Sequence, residues 1–321
     1  MLGVILFRLM EVILWMMDRS EKSLVSNVVS HSDIGILTFF CSLIMTTTTT
    51  TFTLMTYNLW KTKGVATAWN ERRPVLLRQL RKLNPDVLLV QELCPDIHNC
   101  VVEALPTHSF IQDNSIPGYS IEGNIYYKQD MFTEIEHGNI NIEQEEEHRR
   151  LFWIRLQLNN TAKTTALFST AHFTWQGSPK EHTSDINLRK KQARNTVAAL
   201  DTIQNKEDQE AVFFGGDLNE SFWPKRIMES AGFVDCFSAL SLPLRPTHPN
   251  RSCTAHEEQN ADSTLDWLFS KGDNVKPLLA SVVRDMSGLS SDDPDERHKL
   301  TVVPSDHCPV LAVYRIETVE V

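Results

Sequence analysis

From Phe52 onward, short apolar runs that stop at a polar residue alternate with longer stretches whose apolar positions recur at helical spacing. FTLMTYNLW, Phe52 to Trp60, is rich in β-branched and aromatic residues and reads as a strand with Asn58 near its end. Val75, Leu76, Gln79, Leu80 and Leu83 follow at helical spacing among arginines, with Asn70 as cap and Pro85 as stop, which predicts an amphipathic helix. PDVLLVQEL, Pro85 to Leu93, carries a buried strand that runs out into Gln91 and Glu92. Further strands are predicted at Asn124 to Lys128 and Leu151 to Leu158, the second alternating through Phe152, Ile154, Leu156 and Leu158. TALFSTAHF exposes His172 where its apolar run ends, and Trp175 follows. A second helix, Leu188 to Gln204, leads into AVFFGGDLNE, Ala211 to Glu220.

In that last stretch an apolar run stops at Gly215 and Gly216, which permit a positive φ or close backbone approach just where Asp217 appears. On extended chain Asp217 and Asn219 point the same way, although an Asx turn closing an ordinary strand would explain them equally well. A short helix from Trp223 to Ala231 precedes TLDWLF, where Asp266 lies among large apolar residues and, being buried, needs a partner. Ser305-Asp306-His307 then enters a final apolar run, Cys308 to Val313. Strand, helix and strand with polar residues at strand ends describe a mixed α/β protein, in which ligands sit beyond the carboxyl ends of strands.

Residues 1–51 differ from the rest. Their apolar patches, Val4 to Met17 and Ile34 to Met45, are too short or too interrupted by charge to cross a bilayer, and Thr46 to Thr51 reads as low-complexity linker. The expectation is an extension over 1–51 and one domain over 52–321, with no stable membrane span. Six cysteines without a CxxC pair point to a reduced intracellular protein, in cytoplasm or nucleus. The net charge of −10 lacks the basic signature of a protein that grips a long polyanion. Two local clusters are basic, Lys61 to Lys82 and Lys180 to Arg194; solvated helix faces are the plain reading of both, a binding role the alternative.

Asn58 after a first strand, Glu92 in VQEL, His172 in TAHF, Asp217 and Asn219 in GGDLN, Asp266 in LDWLF, and Asp306 and His307 in SDH occur in one order. In this the chain resembles the endonuclease/exonuclease/phosphatase superfamily, which includes pancreatic-type deoxyribonucleases, abasic-site endonucleases, nocturnin-like deadenylases, inositol-polyphosphate 5-phosphatases and neutral sphingomyelinases. The resemblance spans about Phe52 to Ile316. Each motif is weak alone; their shared order is specific. It implies a four-layered α/β sandwich, two mixed β-sheets face to face and flanked by helices. It further implies a Mg²⁺-dependent phosphoric ester hydrolase, with Mn²⁺ as the substitute ion. Glu92 would be the main metal ligand, with Asn58 and Asp306 completing the metal environment. Asp217 would orient and deprotonate the attacking water, Asn219 would hold it or a phosphate oxygen, and His172 and His307 would donate to non-bridging oxygens. Asp266 would pair with His307, raising its pKa and fixing its tautomer. The usual Thr-His is replaced by Ala171-His172, which leaves the histidine in place.

Three functions are weighed. A phosphodiesterase of nucleic acid is favoured by aromatics near the site, Trp60 and Trp175, on which bases could stack, with Arg150 as a further substrate contact. A phosphatase or phosphodiesterase of a small or lipid phosphate, of the inositol phosphate or sphingomyelin type, needs no long basic track and suits the net charge. An inactive scaffold is disfavoured because Glu92, Asp217, Asn219 and His307 are all present.

Overall fold

The computed structural model describes residues 46–62, 69–161, 164–205, 210–249, 262–284 and 303–320. The chain divides into two compact units: Thr48–Thr318, described here, and Met1–Thr47 with Val319–Val321, which lies largely outside the described residues along with the two N-terminal apolar patches.

One sheet has the order β11-β12-β1-β2-β4-β3, from Val275–Val282, Val310–Glu320, Thr46–Asn58, Val87–Gln91, Gly123–Lys128 and His108–Phe110. The other runs β5-β6-β7-β8-β10-β9, from Phe132–Ile140, Leu151–Leu158, Thr165–His172, Ala211–Asp217, Asp266–Lys271 and Val234–Asp235. Both are mixed, with a parallel pair at the centre of each, β1 with β2 and β7 with β8. Strand periodicity sorts side chains between layers. Phe213 and Leu268 enter the core between the sheets with Phe52, Leu89, Phe168 and Tyr314, while their neighbours Phe214 and Phe269 face outward. The outward face of the second sheet is covered by α5 (Leu188–Ile203) and α6 (Trp223–Ser230), and that of the first by α1 (Trp69–Leu83) and α2 (Pro95–Ala104). The short helices α3 (Gly118–Ile121), α4 (Pro179–Ser184) and α7 (Cys236–Ala239) complete the described set. This is the four-layered α/β sandwich that the sequence implies.

The domain start expected at Phe52 falls inside β1, because Thr46 to Thr51 is its first half rather than linker. Threonine is β-branched and suits a pleated surface. Buried Thr50 also exchanges hydrogen bonds with Asn160, at 3.0 and 2.8 Å. Asn70 lies within the first turn of α1 instead of capping it. The helix stops at Asn84, whose left-handed φ of 39° and N–H bond to Leu80 O, 2.8 Å, precede Pro85.

Neither Gly215 nor Gly216 has a positive φ. Their use is close approach. A Cβ on Gly215 would lie 2.5 Å from Leu268 Cδ2 and 2.8 Å from Leu89 Cδ1 of the opposite sheet, and one on Gly216 would collide with the Ala171 carbonyl. The two sheets and the β7–β8 pair close tightly just where Asp217 emerges.

Candidate functional site

Register brings the polar strand ends together. Asn58 pairs with Gln91 across the parallel β1–β2 ladder, so β1 ends beside Glu92. In the second sheet His172 pairs with Asp217, and Asp217 with Asp266 on the antiparallel β10. Directly opposed residues share a face, which puts His172, Asp217 and Asp266 in one row. Glu92 and Asn219 both adopt left-handed backbone, φ 56° and 50°, a conformation that costs a non-glycine residue free energy and clusters at working sites.

Asp217 Oδ2 is the focus. Asn58 Nδ2 donates to it at 2.9 Å, while His172 Nε2 and His307 Nε2 face it from 3.5 and 3.7 Å. Those separations are long for direct hydrogen bonds, so both rings face the carboxylate without being bonded to it. Its other oxygen accepts Asn219 N–H at 2.8 Å, and Asn219 Nδ2 in turn donates to Phe173 O at 2.9 Å. Burial opposes ionisation of Asp217, but His307, His172 and the Asn58 and Asn219 donors outweigh it and hold its pKa below the ordinary value.

Each imidazole is oriented from behind by a carboxylate. His307 Nδ1 donates to Asp266 Oδ2 at 2.7 Å, as the sequence predicts, and Asp266 N–H is held by Thr247 Oγ1 at 3.0 Å. Burial disfavours a charged His307, yet Asp266 and Asp217 together lift its pKa well above the usual imidazole value. Burial pushes the Asp266 carboxyl upward too, and the adjacent Asp217 adds to that. The proton shared along this pair belongs to the imidazole, which faces two carboxylates.

The counterpart, Glu122 behind His172, escaped the sequence reading. His172 Nδ1 lies 2.9 Å from Glu122 Oε1, and Lys61 Nζ lies 2.5 Å from Glu122 Oε2, with Arg149 and His148 at 3.6 and 3.7 Å. Although burial alone would raise it, His172, Arg149 and Lys61 hold Glu122 far below the usual carboxylate range. No apolar run ends at Glu122. Only the β2–β4 register, which sets Gly123 opposite Gln91, carries it to this edge.

Glu92 Oε1 accepts from Asn58 Nδ2 at 3.2 Å and Oε2 from Lys61 N–H at 3.0 Å. Ser305 Oγ donates to Asn58 O at 2.7 Å and lies 3.2 Å from Asp306 Oδ1. Desolvation and then the proximity of Glu92 drive the Asp306 pKa up, although His307 pulls the other way. Two carboxylates that repel one another suit a hard divalent cation, so Glu92 and Asp306 fit the expected metal, while Asn58 turns its Nδ2 toward Glu92 and accepts Trp60 N–H at its Oδ1, 3.0 Å.

Other expectations are redistributed. Trp60 lies under the Arg72 guanidinium, 4.7 Å from its ring centroid, whereas Trp175 is 53% exposed. Arg150 bonds Glu147 O at 3.1 Å, and Arg149 is the arginine that approaches the site. Of the basic clusters, Arg72 is buried against the Leu59 and Pro304 carbonyls, Arg73 pairs with Glu103, and Arg189 is buried between Glu181 and Glu220. Cys94, Cys100, Cys236 and Cys308 carry thiols rather than disulfides. Among the described residues no helix is long and apolar enough to cross a membrane.

A two-sheet sandwich with acids, amides and paired imidazoles converging on one edge is the architecture of a phosphoesterase. The chain belongs to the Endonuclease/Exonuclease/phosphatase family, whose model matches residues 55–307. An endonuclease/exonuclease/phosphatase family protein from Bacteroides thetaiotaomicron is similar in structure, with TM-score 0.65 at 19% identity over 84% of this chain and 99% of that one. So is D. rerio TDP2 complexed with single strand DNA product, at TM-score 0.63 and 16% identity over 83% of this chain and 99% of that one. The mannosyl-6-phosphatase of B. thetaiotaomicron matches at TM-score 0.63 and 18% identity, over 84% of this chain and 100% of that one. At such identities the likeness establishes the fold. No curated protein matches the chain.

Proposed function

We propose that this chain is a Mg²⁺-dependent phosphodiesterase of nucleic acid that uses a water as nucleophile. The observation that carries the substrate class is a set of exposed aromatics on the segments that follow the site residues. Trp175 lies just beyond His172, and Phe222 and Trp223 just beyond Asn219; they are 53%, 55% and 45% exposed. Exposed aromatic faces beside a phosphate site suit unstacked bases, and each stacked base contributes about 1–3 kcal/mol. Lys190 Nζ sits 3.8 Å from the Trp223 ring centroid and adds positive charge there. The single strand DNA product in the similar D. rerio TDP2 structure supports the same reading.

Glu92 and Asp306 would hold the cation, with Asn58 completing its environment by fixing Glu92 through Nδ2. When bound, Mg²⁺ would neutralise phosphoryl charge and acidify a water. Asp217, kept ionised by its imidazole and amide neighbours, orients the attacking water and accepts its proton. His307, held charged by Asp266, donates from Nε2 to a non-bridging oxygen as negative charge builds, and His172 binds the phosphate from the other side of Asp217. Asn219 fixes Asp217 and the phosphate-facing turn.

A small-phosphate substrate is the second reading. It is favoured by the neutralised basic clusters, since Arg73 and Arg189 are already spent on carboxylates. Incubating the full chain with Mg²⁺ and a panel of single- and double-stranded oligonucleotides, a 5′-tyrosyl adduct, sugar phosphates and inositol phosphates decides. Cleavage of single strands or the adduct is expected. Turnover confined to sugar or inositol phosphates would sink the nucleic-acid reading.

A further inference from the structure

His248 takes no part in the chemistry above, yet it stands over the site. Its ring lies edge-on to His307, centroids 4.8 Å apart and planes at 61°. Nitrogens of His248 and His307 and a carboxylate oxygen of Asp306 all lie within 4.8 Å of one another. The placement is built by backbone. His248 N–H donates to Ser263 O and Ser263 N–H to His248 O, at 2.9 and 3.0 Å; Cys308 N–H donates to Thr247 O at 2.6 Å, lacing the His248 segment to the one that carries His307. Thr247 Oγ1 also accepts the N–H of Asp266, the residue behind His307.

Two imidazoles and one carboxylate make a poor Mg²⁺ site, because that ion prefers oxygen and keeps its waters. They suit borderline ions such as Zn²⁺, which binds nitrogen and oxygen at about 2.0–2.2 Å and takes four ligands. A further feature fits. A metal-bound histidine characteristically gives its other ring N–H to a carboxylate, and His307 Nδ1 does so to Asp266 at 2.7 Å, which directs Nε2 toward the cluster. His248 is half-buried, so solvent can supply the fourth ligand.

We propose that His248, Asp306 and His307 form a Zn²⁺-class site, sharing Asp306 with the Mg²⁺ position at Glu92, whose occupation inhibits the enzyme. The inhibition rests on the phosphoesterase reading; the site itself does not. A Zn²⁺ ion there takes His307 Nε2 as a ligand, its proton passing to solvent, and draws Asp306 away from Glu92. The phosphate then loses a donor and the Mg²⁺ position loses a carboxylate. The state is reversible and set by the local supply of Zn²⁺.

His248→Phe tests this, since it keeps a ring against His307 and removes the ligand. Co²⁺ titration of the full chain reads the site without turnover. We expect a visible absorption band of low coordination number in the natural protein, discharged by stoichiometric Zn²⁺ but not by stoichiometric Mg²⁺, and absent from His248→Phe. In the same pair, Mg²⁺-supported hydrolysis should be alike, while the variant should need about tenfold more Zn²⁺, or beyond, for half inhibition. A missing band, or one that persists in His248→Phe, overturns the site even if hydrolysis is normal. A His248-dependent band without Zn²⁺ inhibition overturns the regulatory claim. If the chain hydrolyses no phosphate ester, the functional reading fails and the band still decides the site.

Discussion

Glu122 and His172, separated by 50 positions in the chain, meet at 2.9 Å and mirror the Asp266–His307 contact on the other side of Asp217. Each carboxylate fixes an imidazole whose second nitrogen faces the same aspartate oxygen. The site is a carboxylate held between two oriented rings, and both orienting acids are buried.

For Glu122 this has a consequence in stability. Its folded pKa is depressed, so its contribution is fully present above the unfolded value of about 4.3 and is lost as pH falls through the lower folded value. Glu122→Gln should therefore cost roughly 1–3 kcal/mol at neutral pH and progressively less in acid. Urea midpoints of both proteins at neutral and acidic pH check it. A penalty that does not shrink on acidification would assign the loss to packing instead of charge.

His307 carries the opposite sign. Its pKa is raised by Asp266 and Asp217, so the charged ring persists above the ordinary imidazole range, and activity should fall as pH rises through that raised value. Asp266→Asn removes the larger source of the rise and should move the alkaline limb of the pH–rate profile to lower pH. If the limb stays put while the urea midpoint drops, Asp266 serves only to satisfy its buried surroundings.

The residues that the sequence discloses are those at the ends of apolar runs: Asn58, Glu92, His172, Asp217 and Asp266 each stand where a buried strand stops or starts, and strand polarity then gathers them. Glu122 follows no such run and depends on long-range register. The basic clusters misled for a related reason, because nothing local reveals that Arg189 turns inward onto Glu181 and Glu220. Nor does β5 announce itself, since an outer strand with largely exposed or half-buried positions and Gly138 in its middle lacks clean alternation.

Glu92 should behave as a metal ligand. Glu92→Gln keeps the Asn58 contact available and removes charge, so turnover should drop and partly recover at raised Mg²⁺. Direct Mn²⁺ binding should weaken in parallel. Unchanged ion affinity with lost turnover would move Glu92 out of the cation's environment.

Asp217→Asn keeps the shape and removes the base. A fall of about 10²–10⁴ in turnover is expected, with oligonucleotide binding retained. Fluorescence anisotropy of a labelled single strand alongside kinetics separates the two. If binding and folding vanish with activity, Asp217 is part of the scaffold and a different group takes the proton.

The glycines before Asp217 supply a test of how tightly the edge is built. At Gly215 an added Cβ meets the ends of the Leu268 and Leu89 side chains and lies 3.2 Å from Thr56 Cβ, so side chains rather than backbone have to give. At Gly216 it meets the Ala171 carbonyl, which is locked in the β7–β8 ladder between Thr170–Gly215 and His172–Asp217 and can yield only if the strands part. Overpacking a core typically costs about 1–3 kcal/mol, and a backbone collision belongs at or above the top of that range. Gly216→Ala should therefore lower the urea midpoint more than Gly215→Ala. It should also depress turnover in whatever fraction stays folded, because parting the strands moves His172 and Asp217 relative to each other. Equal midpoints for the two variants would mean that the β7–β8 pair is looser than this register requires.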